Sequence, residues 1–111
     1  MKVEFVDARL KKSCEDNSTR QRLFQKAAAD KLTNRLDDLA AAANMDMVRC
    51  LPGSWEELTG DRKGQFSCRL DKKLRLVLRP TQRPPPTKPD GGLDWAAVDA
   101  VTVVEVVNYH D

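Results

Sequence analysis

The sequence predicts an α+β domain of two layers, with helices on one face of a mainly antiparallel sheet of about four to five strands. Three observations carry this prediction. Helical periodicity is confined to the first half of the chain, the second half holds short runs that alternate apolar and polar side chains, and a β-branched run closes the sequence. The 111 residues suffice for one domain, 1–111, with a single core.

KVEFV (2–6) alternates branched and aromatic side chains as a short strand does, and Asp7 is placed to cap a helix running to about Glu15. Asn17 or Ser18 then caps a second helix. Its apolar stripe is Phe24, Ala28, Leu32, Leu36, Leu39 and Ala43, at three- and four-residue intervals, with Arg20, Lys31 and Arg35 on the polar face. MDMVRC is a further helical turn, and Pro52-Gly53 breaks the chain. SWEEL (54–58), GQFSCRL (64–70) and KLRLVLR (73–79) read as strands, the last two joined through Asp71-Lys72 as an antiparallel hairpin. If the leucine faces meet the long helix, Arg69, Arg75 and Arg79 project from the opposite, open face. PTQRPPPTKPDGG holds five of the six prolines and reads as a loop, because proline lacks the ladder donor. Its PxxP spacing, Pro86 to Pro89, lies between two strands of one domain, where an SH3-ligand role is disfavoured. AVTVVEVVNY should be a central strand, and its end delivers the only tyrosine, Tyr109, and the only histidine, His110.

Charge is unevenly spread. The net +2 hides a stretch from Arg62 to Lys88 with nine basic residues against one acid, Asp71, whereas residues 89–111 carry five acids and no base. Such a stretch attracts a polyanion, although a solvated basic loop has the same composition. Cys14, Cys50 and Cys68 fit neither a CxxC zinc pair nor a disulfide framework, so buried or idle thiols are expected. One histidine and no clustered acids supply no ligand set, so neither a metal nor another cofactor is expected. MKVEFVDARLKKSCE has no signal-peptide core and no apolar run reaches the roughly 18 residues of a membrane span, which predicts a cytoplasmic protein without a membrane partner.

LPGSWEELTGDRKGQFSCRLDKKLRLVL, followed by DGGLDWAAVDAVTVVEVVNYH, strongly resembles the HigB-like "killer" toxins of the RelE superfamily. GDRKG, the arginine of the RLVL strand, the GGLDW turn and the terminal YH occur in the family's order; over the first 45 residues the likeness is architectural only. The resemblance implies a compact RelE-like fold and the toxin role in a toxin–antitoxin pair. It also implies cleavage of ribosome-bound mRNA and inhibition by a HigA-like helix-turn-helix antitoxin, through which alone operator DNA is met.

Metal-free RNA cleavage needs a base for the 2′-hydroxyl, a clamp for the phosphate in flight and an acid for the departing 5′-oxygen. The resemblance assigns the clamp to Arg75, whose guanidinium is a fixed fork of donors, and the proton transfer to His110. Tyr109 would orient or stack on the RNA. Glu56 stands where many relatives have histidine and Asn108 where they have aspartate, so the familiar two-histidine arrangement is absent. Arg62 and Lys63 either contact the RNA backbone or only solubilise a tight loop, and Arg69, Lys73 and Arg79 extend the basic surface. Trp55 and Trp95 are expected in the core, and Gly60 and Gly64 serve the loop backbone. The rival expectations are a degenerate toxin that binds antitoxin or RNA with little cleavage, and a stand-alone nucleic-acid-binding domain.

Overall fold

A computed structural model describes residues 1–108. Five strands form one sheet in the order β1-β5-β4-β3-β2, with β1 Lys2–Phe5, β2 Glu56–Glu57, β3 Phe66–Arg69, β4 Leu74–Pro80 and β5 Ala100–Asn108. Three of the four pairings are antiparallel. The exception is β1, which lies parallel to β5 with Val3 opposite Val101, a pairing made possible by the long excursion through the helices and the other three strands between them.

That excursion starts with α1, Ala8–Glu15, where the Asp7 side chain accepts from the Leu10 N–H at 2.7 Å. The cap of α2, Asn17–Ala41, is Asp16 and not Asn17 or Ser18, because the Asp16 carboxylate takes both the backbone N–H and the hydroxyl of Thr19. Nor is α2 one continuous helix. Gln25 sits at φ 63°, ψ 163°, a region nearly reserved for glycine, and the break lets the two segments follow different directions. Beyond it Ala28, Ala29, Leu32 and Leu39 are buried, whereas Ala43 is exposed and Ala42 takes its place, since the helix has ended at Ala41. A last turn, α3 at Met45–Val48, is capped by the Asn44 side chain.

The helices cover one face of the sheet. Leu32, Leu39, Met45 and Val48 pack with Phe66, Cys68, Leu70, Leu76, Leu78, Val101 and Val103, all fully buried. Each such aliphatic side chain contributes about 1.5–3 kcal/mol of burial, far more than the per-residue differences in helix propensity, so packing decides where α2 lies.

The β3–β4 link is longer than its two-residue expectation. Leu70 donates to the Leu74 carbonyl, leaving a three-residue loop, Asp71–Lys73, whose N–H groups at Lys73 and Leu74 are taken by the Asp71 carboxylate at 2.8 and 2.6 Å. Register explains the difference. A two-residue link would set Cys68 against Arg75, whereas the observed pairing sets Cys68 opposite Leu76 and Arg69 opposite Arg75, each on its own face. The SWEEL strand shrinks to two residues, and a register shift at Val77/Leu78 leaves Val104 of β5 as an unmatched bulge residue. Among the described residues no helix is long and apolar enough to cross a membrane.

Candidate functional site

Register alone arranges the outer face, the one turned away from the helices. One row across the sheet runs Glu56, Ser67, Val77, Glu105, and the next runs Arg69, Arg75, Val107. Arg79, opposite Thr102, lies farther along β4. Glu56, Arg69, Arg75 and Arg79 therefore share a face, and Glu56 and Arg75 are two strands and one row apart. With strands about 4.8 Å apart and about 6.8 Å between same-face residues, their Cα atoms are about 12 Å apart.

Arg75 differs from its neighbours in burial. Arg69 is exposed and Arg79 is half-buried, but Arg75 is only 7% exposed, so the expected open face is closed at that point. Its Nη1 donates to the carbonyls of Asp71 and Leu74, both at 3.4 Å, which turns the guanidinium toward the hairpin tip. A guanidinium held by carbonyls loses little freedom on meeting an anion.

The face is further covered by Arg62, from the 3₁₀ turn Gly60–Arg62. It forms an ion pair with Glu105 of β5, and its other terminal nitrogen donates to Gln65 Oε1 at 3.1 Å. In the row that ends at Glu105, Ser67 and Val77 are the two middle residues. Both are fully buried, and the Ser67 Oγ has no hydrogen-bond partner among the described residues. Lys63 stays exposed in the same loop, and the φ angles of Gly60 (63°) and Gly64 (90°) give that loop its shape. Lys73 is exposed at the hairpin turn.

One expected member falls elsewhere, and two are not described. Asn108 is the register partner of Leu74, which places it on the helix-side face at the end of β5 and not in the row of Arg75. Tyr109 and His110 lie outside the described residues. Among the described residues no group of three or more His, Cys, Asp or Glu side chains is placed to hold a metal ion.

Sequence reasoning missed Glu57. Next to outward-facing Glu56, it pairs with Phe66 and so turns to the helix side, where its carboxylate accepts from Leu93 N at 3.0 Å and from Trp95 Nε1 at 2.9 Å. Trp95 also meets Phe66 edge to face, with centroids 4.6 Å apart, and carries the Arg49 guanidinium 4.1 Å from its ring centre. The tryptophans are core residues, each 8% exposed. Only strand alternation at EE, combined with the GGLDW turn, carried any signal of this clamp.

Burial pushes the Cys68 thiol up to about 12 and the Cys14 thiol to about 11, while Cys50 is exposed; all three are free.

No family model matches the sequence. Toxin HigB-1 of Vibrio cholerae serotype O1 is 35% identical over 80 residues, covering 71% of this chain and 83% of that protein. The fold is shared with a YoeB/ParE toxin from Agrobacterium tumefaciens, at a TM-score of 0.59, 14% identity, and coverage of 98% of this chain and 99% of the other. A YoeB–YefM complex from Staphylococcus aureus aligns with the same TM-score at 12% identity, covering 98% and 97%. The identity and coverage of the Vibrio protein, together with this five-stranded sheet, establish that the chain belongs to the HigB toxins of the RelE superfamily, the toxin components of toxin–antitoxin systems.

Proposed function

We propose that this chain is an endoribonuclease that cuts mRNA on the ribosome. The observation that carries the proposal is the Arg69–Arg75 cross-strand pair on the outer face, with Arg75 opposite Val107 of β5, two residues before Tyr109 and three before His110 in the sequence. Arg75, held by two carbonyls, is the phosphate clamp, and Arg69 adds a second positive charge beside it. In the reaction the substrate 2′-oxygen attacks the adjacent phosphorus and the bond to the 5′-oxygen breaks. The charge that builds on the non-bridging oxygens is what a fixed guanidinium stabilises. His110 exchanges the proton, Tyr109 orients the RNA, and Glu56, on the same face as Arg75, is the remaining proton acceptor. Asn108 acts from the end of β5, through the backbone that carries its two successors. Lys63, Lys73 and Arg79 position the RNA backbone, and Arg62 does so once released from Glu105. The reaction is proposed to need no metal.

The proposed partner is a HigA-like helix-turn-helix antitoxin, which would also provide any contact with operator DNA. This rests on membership of the HigB toxins and on the antitoxin complex formed by the related Staphylococcus fold.

A second reading, a toxin that binds RNA or antitoxin with little cleavage, is favoured by one observation: a carboxylate, Glu56, exposed on the face where the phosphate would lie. Cleavage on programmed ribosomes decides between them, with free mRNA as the control. Wild type should cut only on ribosomes, and Arg75→Ala and His110→Ala should each lose at least about tenfold, or 1.4 kcal/mol of transition-state stabilisation. Folded wild type that leaves ribosomal mRNA intact would remove the enzymatic reading.

A further inference from the structure

Beyond the outer face, a cleft of about 440 Å³ opens between α2 and the tip of the β3–β4 hairpin. Four basic residues line it from three elements: Lys31 and Arg35 on α2, Arg69 on β3 and Lys72 in the hairpin loop. The one acid among the lining residues is Asp71, and its carboxylate is already engaged by the Lys73 and Leu74 N–H groups. Those hydrogen bonds, led by that from Leu74, hold it below the usual carboxylate range. Positive charge gathered in a concave, low-dielectric wall produces a stronger local field than the same charges spread over a convex surface.

The cleft wall is also structured at some cost. Arg35 is only 12% exposed in its side chain, is fixed by Asp38 at 3.3 Å, and leaves its Nε–H buried without an acceptor among the described residues. Gly53, at φ 126°, passes so close that a Cβ there would meet Arg35 Cδ and Nε at 3.0 Å and Trp55 Nε1 at 3.2 Å. The indole N–H of Trp55 is buried and unpartnered as well. Ser54, the next residue, is held at φ 52°, a conformation uncommon for a residue with a side chain. The close approach of Gly53 and the left-handed conformation at Ser54 fix the loop that forms this wall, and Asp38 fixes the Arg35 guanidinium beside it, so the basic lining is held in place before any anion arrives.

We propose that this cleft is a second RNA-binding site, which takes a backbone phosphate of the strand outside the reacting nucleotide. The naming of RNA as ligand rests on the nuclease reading. Arg69 lines the cleft and is also the cross-strand partner of Arg75, so the two sites adjoin. A strand lying on Arg75 continues past Arg69 and around the hairpin tip to Lys72, Lys31 and Arg35. RNA is favoured over a free phosphate ion because the cations are spread over three elements and connect with the outer-face arginines.

The test is binding of a short 2′-O-methylated RNA, which lacks the attacking hydroxyl and so reports affinity independently of cleavage. Salt is varied from about 50 to 200 mM for wild type, for Lys31→Gln/Lys72→Gln and for Arg75→Ala. Both lysines are exposed, so the double variant should retain the wild-type melting temperature. Its affinity should fall about tenfold at about 0.1 M salt, and its log–log salt slope should shrink by about 1.4, two contacts at about 0.7 each for a single strand. An unchanged slope and affinity in the double variant, or no saturable binding by wild type, would overturn the proposal. Displacement of the RNA by inorganic phosphate at equal phosphate concentration would mark a free-ion site and also overturn it. A wild type that binds but never cuts, with the double variant still weakened, keeps the cleft and removes only the nuclease reading.

Discussion

Replacing Glu57 by alanine should destabilise the domain by about 2–5 kcal/mol. The magnitude follows from what the carboxylate holds. It is the acceptor for Leu93 N and Trp95 Nε1, on residues 2% and 8% exposed, and truncation leaves both donors unpaired. Each buried donor left without a partner costs about 1–3 kcal/mol, and the half-buried position of Glu57, which lets water reach part of the site, sets the estimate below the upper limit. Against a total of about 5–15 kcal/mol for a domain of this kind, that is a large share. Glu57→Gln should lose about half as much, since its single acceptor oxygen can serve only one of the two donors. Glu56→Ala, one residue away on the outer face, should stay within about 0.5 kcal/mol of wild type. Urea unfolding followed by tryptophan fluorescence measures all three, with the denaturant slope expected to be unchanged. A loss below about 1 kcal/mol for Glu57→Ala, or equal losses for the two glutamates, would refute the clamp.

Acid should weaken the fold through its capping carboxylates. Asp16, Asp71 and Asp90 are all held below the usual carboxylate range, first by the Thr19 hydroxyl, the Leu74 N–H and the Gly92 N–H respectively. Their stabilisation is present above the unfolded value of about 3.9 and is lost as pH falls through the lower folded values; the decline in urea midpoint below about pH 4 should flatten in the triple Asp→Asn variant. In a double-mutant cycle, Arg62→Ala with Glu105→Gln should show coupling of at most about 1 kcal/mol, because both side chains are about a third exposed. Coupling above about 2 kcal/mol would mean a desolvated pair. Thiol titration near pH 8 should label one cysteine per native chain, Cys50, with Cys14 and Cys68 reacting only after unfolding; rapid loss of two thiols would contradict the burial described.

Much of this protein could be read from the sequence because its signals act over a few residues. Asp7 caps α1, alternation marks β3 and β4, and the β-branched run 100–108 forms an interior strand, paired on both sides. The motifs from Cys50 onward likewise point to the HigB toxins without any contact information. Contacts between distant residues decided the rest. The three-residue hairpin loop exists because the core accepts only one register, and the same register puts Asn108 and Arg75, both expected at the site, on opposite faces. Gln25 breaks a stripe that looked continuous, and Arg62 reaches a glutamate 43 positions away. Adjacent glutamates receive different tasks, Glu57 as a clamp and Glu56 as a surface carboxylate, by alternation on a two-residue strand. The basic stretch 62–88 was visible as composition. Its division into an outer-face pair and a cleft completed by Lys31 and Arg35 was not, because a charge count carries no information on which helix a hairpin will pack against.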